Sequence, residues 1–153
     1  MKKQEPLLTY VLIFITAGFY MFYWQYNAMK YLNEYFDDER FNPSRRLTNI
    51  IGILGVIFLY NEFILNRFIV SSDNVLGSIL VIGGIFITFG WFFMIVENIR
   101  DIAKAVLVIE TKMDIDSKIN VNKATILFFI YYSTFYYIQK HINNIHIDKV
   151  VIE

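Results

Sequence analysis

The sequence predicts an all-α, polytopic membrane protein whose four transmembrane helices form two helical hairpins in a single domain of residues 1–153. Two observations support this fold class. The chain is 56% hydrophobic and 18% aromatic, which is too apolar for an ordinary soluble protein of 153 residues. Its 14 basic and 14 acidic residues lie in a few short segments and leave long uncharged runs between them. Such runs are typical of helices surrounded by lipid.

The lengths of the uncharged runs predict where the membrane is crossed. A helix needs roughly 20 mainly apolar residues to cross a hydrocarbon core about 30 Å thick. The first and third runs are uncharged for 21 and 23 residues, whereas the second and fourth have 15 and 16. The two shorter runs reach spanning length only if polar groups at their ends extend to the interface. An alternative for these two is an interfacial or re-entrant helix. The predicted spans are residues 7–27, 46–68, 75–97 and 123–141.

The alternation of long and short runs suggests an internal duplication of one helical hairpin. Residues 16–20 (TAGFY) resemble residues 88–92 (TFGWF), and with one deletion residues 26–30 fall opposite residues 97–101. A duplicated hairpin would enter the membrane from the same side as the first, about a pseudo-twofold axis along the membrane normal. Chance similarity between two aromatic-rich spans is the open alternative.

Aromatic residues crowd the end of the first span, where the apolar run gives way to polar residues. Tyrosine and tryptophan favour the headgroup region, so Tyr20, Tyr23, Trp24 and Tyr26 are predicted interface anchors. Beyond these rings the helical pattern continues, and we predict that the first and third helices extend past the bilayer. These amphipathic extensions, at about residues 28–37 and 97–110, either lie along the lipid surface or pack together outside it. Their mixed charges favour packing together.

The same aromatic segment resembles a bacterial family of small membrane proteins known as a domain of unknown function, family 4234. The shared pattern is a glycine followed by aromatic residues, a Tyr-Trp-x-Tyr segment and a late Leu-Asn pair. In this chain the pattern is represented by Gly18, Phe19, Tyr20, Tyr23, Trp24, Tyr26, Leu32 and Asn33. The resemblance implies a protein of the bacterial cytoplasmic membrane, and it brings no catalytic or ligand-binding residue with it.

Four polar residues near the ends of predicted spans are candidates for a pore or for helix contacts. They are Asn61, Glu62, Glu97 and Asn98. Ionisable groups within membranes often mark an ion path or a partner on another helix. The alternative is that these side chains simply extend to the interface, which the full uncharged span before Glu97 favours for that residue.

Small residues in the third predicted span suggest close helix packing. Glycines let helices approach each other in lipid, where packing drives association. The candidate packing residues, several of them separated by seven positions, are Gly77, Gly83, Gly84, Thr88 and Gly90. This spacing predicts that the third span is the centre of a contact within the chain or between copies. A general enrichment of glycine in membrane helices is the alternative.

The sequence predicts no catalytic residue, no cofactor and no metal site. It has no cysteine and only two histidines, His141 and His146, whose spacing does not place them on one helical face. The net charge is zero, so nucleic acid is not an expected partner. The lipid bilayer is the expected environment, and the expected partners are further copies of the chain or a membrane or cytoplasmic protein.

The distribution of basic residues predicts the orientation. Nine lie in the connections at residues 28–46 and 97–123, against five elsewhere. The positive-inside rule therefore places these connections in the cytoplasm and both termini outside, although Lys2 and Lys3 oppose that at the first span.

The predicted function is non-enzymatic: the protein acts through self-association or as a membrane-embedded subunit or scaffold for a partner. An oligomeric pore for ions or small solutes, or a permeability effector, is the alternative. An intramembrane enzyme ranks third, because no catalytic constellation can be recognised in the sequence.

Overall fold

The computed structural model describes residues 4–16, 18–36, 42–65, 75–130 and 132–145. Within these ranges the protein is all-helical and contains no β-strand, which confirms the predicted all-α class. The helices are α1 (Pro6–Ile15), α2 (Phe19–Phe36), α3 (Pro43–Leu59, continued by a π-helix at Tyr60–Leu65), α4 (Val75–Lys112), α5 (Val121–Phe128) and α6 (Thr134–Asn144).

The chain divides into two compact units, each described separately below. The bundle unit comprises Met1–Ser44 and Val96–Glu153, and the hairpin unit comprises Arg45–Ile95. The bundle unit therefore contains α1, α2, the second half of α4, α5 and α6. The hairpin unit contains most of α3 and the first half of α4.

In the bundle unit, α2 and the second half of α4 run in the same direction. The Nδ2 of Asn98 donates a hydrogen bond to the Oε1 of Gln25 at 2.5 Å. Ten residues further along α2, the ring of Tyr35 lies 5.7 Å from the Nζ of Lys112 on α4. Helix α2 and the second half of α4 thus contact each other at these two places.

Helix α6 runs parallel to α2, and α1 runs antiparallel to both. Trp24 lies against Phe135 near the start of α6, and the hydroxyl of Tyr31 donates to the backbone oxygen of Ile145 just after its end. The Nδ2 of Asn143 donates to the backbone oxygen of Gln4 at 2.7 Å, so the start of α1 meets the end of α6. We call this the polar end of the bundle unit.

The spacing of apolar residues explains why these helices pack. On α4 a fully buried stripe recurs at intervals of three and four, as expected for one face of an α-helix. Its members are Ile99, Ile102, Ala103, Val106 and Ile109. On α2, Trp24, Ala28 and Leu32 repeat every fourth residue and are also buried. Burying these two stripes inside the unit stabilises it.

In the hairpin unit, α3 and the first half of α4 run antiparallel. The Nε1 of Trp91 donates to the backbone oxygen of Ile50 at 2.9 Å, and the hydroxyl of Tyr60 donates to the backbone oxygen of Leu80. Within the described residues of this unit, Ile50 and Ile95 are the buried large apolar side chains. The packing therefore depends on a narrow strip of contact between two helices.

One helix in the described part of the chain is long and apolar enough to cross a membrane. It is the segment Gly77–Lys112 of α4, and only 6% of its most apolar window is buried. Pro6–Ile15 and Asn49–Glu62 are shorter apolar helices. The predicted third span and the extension that follows it are thus one continuous helix. Residue 17 of the predicted first span, residues 66–68 of the second, residue 131 of the fourth and residue 37 of the first extension lie outside the described residues.

The predicted first and fourth spans are each two helices instead of one. Residues 7–27 are divided between α1 and α2 at Thr16–Gly18, where Gly18 has φ of 91°. Residues 123–141 are divided between α5 and α6, and Tyr132 in that break has φ of 58°. Positive φ is incompatible with a right-handed helix, so the chain must turn at both places. Apolar composition predicted the membrane environment of these runs without revealing the turns.

Candidate functional site

Several polar side chains are buried inside the bundle unit. In the described residues the buried polar set falls entirely within that unit: Thr9, Gln25, Asn98, Glu110, Thr134, Gln139 and His141. Burying a polar group costs free energy unless it finds a hydrogen-bond partner. These residues are therefore the first candidates for a functional centre.

Glu110 is the most deeply buried charged residue of the set. Its Oε1 lies 2.6 Å from the Nδ1 of His141, and its Oε2 accepts a hydrogen bond from the backbone N–H of Ile119 at 2.6 Å. Glu110 is 0% exposed and His141 is 6% exposed. The Oε1 of Glu110 and the Nδ1 of His141 are within hydrogen-bond distance and can share one proton. Glu110 thus fastens α4 to α6 and to the connection that leads into α5.

The ring of Tyr137 packs against the histidine. The ring of Tyr137 meets His141 edge to face with centroids 4.8 Å apart, and the Nζ of Lys123 lies 5.2 Å from the centroid of Tyr137. The hydroxyl of Tyr137 accepts from the backbone N–H of Asn120 at 3.0 Å. The start of α5 is thereby held beside the middle of α6.

A second chain of hydrogen bonds connects α2, α6 and the beginning of the structure. The Nε1 of Trp24 donates to the Oε1 of Gln139 at 2.7 Å, and the Nε2 of Gln139 donates to the Oδ1 of Asn143 at 2.8 Å. Asn143 in turn donates to the backbone oxygen of Gln4. The amide of Gln139 thus accepts from Trp24 and donates to Asn143. This series of hydrogen bonds fixes α2, α6 and the start of α1 relative to one another.

Two atoms of the buried set have no hydrogen-bond partner among the described residues. They are the Nε2 of Gln25 and the Oγ1 of Thr134. The Oε1 of the same Gln25 accepts from Asn98, which is 3% exposed. The acid–base pair of Glu110 and His141 is likewise closed off from solvent. The contacts of this interior are those of a structural network that sets helix positions.

The structure separates the predicted polar candidates by face. Glu97 is exposed while its neighbour Asn98 is buried against Gln25, so the two do not line one surface. Asn61 and Glu62 are exposed in the hairpin unit, where the Nδ2 of Asn61 donates to the backbone oxygen of Ile57 at 2.9 Å. Asn98 therefore forms a contact between helices, which is one of the two roles that the sequence suggested for these residues.

The predicted glycines divide into those that contact α3 and those that do not. A Cβ on Gly84 would lie 2.7 Å from the Cε1 of Tyr60, and one on Gly83 would lie 3.5 Å from the Tyr60 hydroxyl. A Cβ on Gly90 would meet nothing within 4 Å. Gly77 is buried, and the Oγ1 of Thr88 donates to the backbone oxygen of Gly84 at 2.9 Å. Gly83 and Gly84 thus serve packing inside the hairpin unit.

A groove of about 430 Å³ lies between α3 and α4 in the hairpin unit. Its lining is mostly apolar, with Tyr60, Asn61 and Thr88 as the polar members. The remaining lining residues are Ile57, Val81, Gly84, Ile85, Ile87, Phe89 and Phe92. Such a lining suits hydrocarbon better than a charged solute.

The predicted interface anchors differ in exposure. Tyr23 and Tyr26 are 56% and 41% exposed, as an anchor requires. Tyr20 is partly buried and donates to the Oε1 of Gln4 at 3.3 Å. Trp24 departs from the prediction, because it is 1% exposed and its indole N–H donates a hydrogen bond to Gln139. Aromatic crowding in a sequence does not distinguish a ring that faces lipid from one that faces a helix.

Sequence reasoning missed Glu110 and His141 as partners, and Gln25 and Gln139 as buried amides. One signal was present for Glu110, since it continues the apolar stripe of α4 one turn beyond Val106. The amides interrupt otherwise aromatic segments, which is the signal for them. In the described residues no group of three His, Cys, Asp or Glu side chains could hold a metal ion.

No protein family, curated protein or solved structure matches this chain in any of the three comparisons. The function is therefore inferred from the geometry of the chain itself.

Proposed function

We propose that this chain is a small integral membrane protein that acts without catalysis, by self-association or as a membrane-embedded subunit or scaffold for a partner protein. One observation carries the proposal, and it concerns the surface of α4. Exposed apolar side chains cover the first half of this continuous helix, at Ile79, Ile82, Ile85, Phe86, Phe89 and Phe93. From Glu97 onward the exposed residues are mostly charged or polar, including Arg100 and Lys104, with Val108 as the exposed apolar exception.

An apolar surface of this extent needs lipid or another protein against it. Soluble monomers rarely expose large contiguous apolar patches. The first half of α4 is long enough to reach across a hydrocarbon core, since residues 75–97 rise about 33 Å at 1.5 Å per residue. This length supports a crossing at residues 75–97. With it we propose residues 46–68 as the other crossing of the hairpin unit, in the bacterial cytoplasmic membrane, with the connections at residues 28–46 and 97–123 in the cytoplasm.

Association is the favoured mode of action because the interior of the bundle unit is already occupied by its own contacts. Asn98, Gln25, Glu110 and His141 are bonded to one another or to backbone groups. What the chain presents outward is the apolar face of α4 and the groove beside it. Both suit helix packing in lipid, where small residues and shape decide affinity.

A pore is the second candidate, and one observation favours it. Asn61 lines the groove of the hairpin unit and Glu62 beside it is exposed. In an assembly of several copies, these side chains could line a shared aqueous path. Asn98 is not part of that candidate site, because it is buried in the bundle unit.

The test is native mass spectrometry of the detergent-purified protein, followed by ion flux in liposomes on the same sample. We expect a monomer or small oligomer that shows no flux, and no change with Glu62→Gln. Glu34→Gln, an exposed carboxylate on α2, is the matched control. A closed oligomer with flux that Glu62→Gln alters and Glu34→Gln leaves unchanged would replace the scaffold proposal with the pore.

A further inference from the structure

The first and fourth uncharged runs each fold into a short helical hairpin, and exposed apolar side chains flank each turn. We call Phe14–Thr16 with Gly18 and Phe19 the first tip, and Ile126–Ile130 with Tyr132 and Ser133 the second tip. The exposed apolar side chains are Phe14, Ile15 and Phe19 at the first tip, and Ile126, Phe129, Ile130 and Tyr132 at the second. Ile15 and Phe19 are 75% and 72% exposed. Turns that face water are usually built from glycine, proline, asparagine, aspartate and serine.

The described backbone groups of the first tip form hydrogen bonds within the tip. The N–H of Gly18 donates to the oxygen of Ile13 at 2.8 Å, and the N–H of Tyr20 donates to the Oγ1 of Thr16 at 2.9 Å. The hydroxyl of Thr16 donates to the oxygen of Leu12 at 2.7 Å. A non-helical segment tolerates hydrocarbon only when its polar groups are satisfied in this way.

The second tip uses a serine for the same purpose. The Oγ of Ser133 lies 2.6 Å from the backbone oxygen of Ile130 and 3.1 Å from that of Leu127. The backbone N–H groups of Phe129, Ile130 and Ser133 each donate to an oxygen three residues earlier. Both tips therefore combine apolar side chains outside with internally bonded backbone.

The helices that lead into the tips have the length of half a bilayer. Helix α1 has 10 residues and α5 has 8. At 1.5 Å per residue these are about 15 Å and 12 Å long, against a hydrocarbon core of about 30 Å. Each helix reaches towards the bilayer centre and is too short to leave by the other side.

Contacts at the polar end of the bundle unit show where the chain returns. Tyr31 after the first run is hydrogen bonded to Ile145 after the fourth, and Glu110 before the fourth run is bonded to His141 near its end. If the first and fourth runs both crossed the membrane fully, the members of each pair would lie on opposite sides. Hydrogen bonds of this length require them on the same side.

We propose that the two tips insert into the acyl chains of one leaflet, and that the segments on either side of each tip return to the same aqueous side. This inference rests on the proposed membrane location, and it replaces the predicted first and fourth crossings with re-entrant hairpins. Gln4, residues 28–36, the connection at 113–120 and Ile145 then share one compartment.

The charges of the sequence support this topology independently. The four-crossing scheme places Lys2 and Lys3 outside, against the positive-inside rule, while nine other basic residues lie in the cytoplasm. In the re-entrant scheme the N-terminal residues share the side of those nine bases, and so does Lys140, which is exposed on α6. The conflict at Lys2 and Lys3 disappears.

Cysteine accessibility tests the topology on the full chain, because the native sequence contains no cysteine. Single variants Glu5→Cys, Asp116→Cys and Asn144→Cys place a thiol at three exposed positions. Each is treated with a membrane-impermeant maleimide in intact cells and in inside-out vesicles. We expect all three to react from the same side and to the same extent. Reaction of Asp116→Cys from one side and of the other two from the opposite side would overturn the proposal.

A spin label tests whether lipid covers the tips. Phe19→Cys and Phe129→Cys variants, labelled and reconstituted in phosphatidylcholine–phosphatidylglycerol vesicles, are compared with the exposed control Asp116→Cys. We expect frequent collisions with oxygen and few with a water-soluble nickel complex at the tips, and the reverse at the control. Protection of the tip labels from both reagents, or access of nickel to them, would overturn insertion into the leaflet.

Alkaline carbonate extraction distinguishes failure of the proposed membrane function from failure of the re-entrant hairpins alone. Release of the wild-type chain from membranes would contradict the proposed function together with this inference. Retention of the chain combined with reactive ends on opposite sides would contradict the re-entrant hairpins alone.

Discussion

The bundle unit and the hairpin unit hold their helices together by different means. In the bundle unit, helices are joined by buried hydrogen bonds between side chains far apart in sequence, such as Trp24 with Gln139 and Glu110 with His141. In the hairpin unit, the ring of Tyr60 lies against Gly83 and Gly84. The side chains of Tyr60 and Trp91 also each donate a hydrogen bond to a backbone oxygen of the facing helix.

The proposed membrane location accounts for this difference. At the polar end of the bundle unit, which that proposal places in water, burial of apolar stripes drives packing, and buried polar pairs specify which arrangement forms. In lipid there is no hydrophobic gain from bringing two apolar helices together, so close approach at small residues has to supply the attraction. The comparison therefore predicts that polar substitutions will be most damaging in the bundle unit and volume changes most damaging at the glycine contact.

The largest effect is expected from Glu110→Ala. The change removes the partner of His141 and leaves the N–H of Ile119 without its acceptor, both inside the bundle unit. Breaking a buried pair from one side typically costs about 3–5 kcal/mol of unfolding free energy. Thermal unfolding of the detergent-purified variant, followed by circular dichroism, measures the loss.

Two further variants make this test specific. Glu110→Gln retains one acceptor oxygen, so its melting temperature should fall between those of the wild type and Glu110→Ala. Glu97→Ala removes an exposed carboxylate from the same helix and should leave the melting temperature nearly unchanged. Equal losses for the buried and the exposed glutamate would contradict the assignment of Glu110 as a fastening residue.

The two tryptophans allow the same substitution in both units. Trp24→Phe keeps the ring contact with Phe135 but leaves the Oε1 of buried Gln139 without its donor, at a cost of about 1–3 kcal/mol. Trp91→Phe removes a bond to the backbone oxygen of Ile50 from a partly buried ring, and we expect about 1 kcal/mol or less. Chemical denaturation of both variants measures the difference. A greater loss for Trp91→Phe would reverse the proposed contrast.

The smallest effect is expected at the glycine contact. Gly84→Ala places a methyl group 2.7 Å from the ring of Tyr60, and overpacking typically costs about 1–3 kcal/mol, partly offset by the helix propensity of alanine. A net loss of about 1 kcal/mol is therefore expected. Gly90→Ala, which meets nothing within 4 Å, should be neutral or slightly stabilising. If both variants behave alike in thermal unfolding, close approach at Gly84 does not hold the hairpin unit together.

The all-helical class and the long helix of the third run could be predicted from the sequence, for a clear physical reason. Hydropathy and helical periodicity are local properties, and α4 has both from Val75 to Lys112 without a helix-breaking residue. The extension after residue 96 was visible because its apolar stripe continues through Val106 while its charges occupy the other face.

The two turns and the buried polar pairs could not be predicted, because they depend on contacts distant in sequence. A glycine within an apolar run is compatible with a continuous membrane helix, so Gly18 did not indicate a turn. Trp24 and Tyr23 are adjacent rings of similar character, yet one is buried and the other exposed. Which face of α2 is internal is decided by α6, more than 100 residues away.

Gly18 has a consequence for how sequences of this kind can diverge. A Cβ at this position would meet nothing within 4 Å, so packing alone does not restrict which residue stands there. Its φ of 91° nevertheless lies where side chains other than glycine are strained, and the direction of everything after the first tip depends on it. Selection would therefore retain a glycine that touches nothing, and this position would stay constant while the better packed residues around it exchange for others of similar volume.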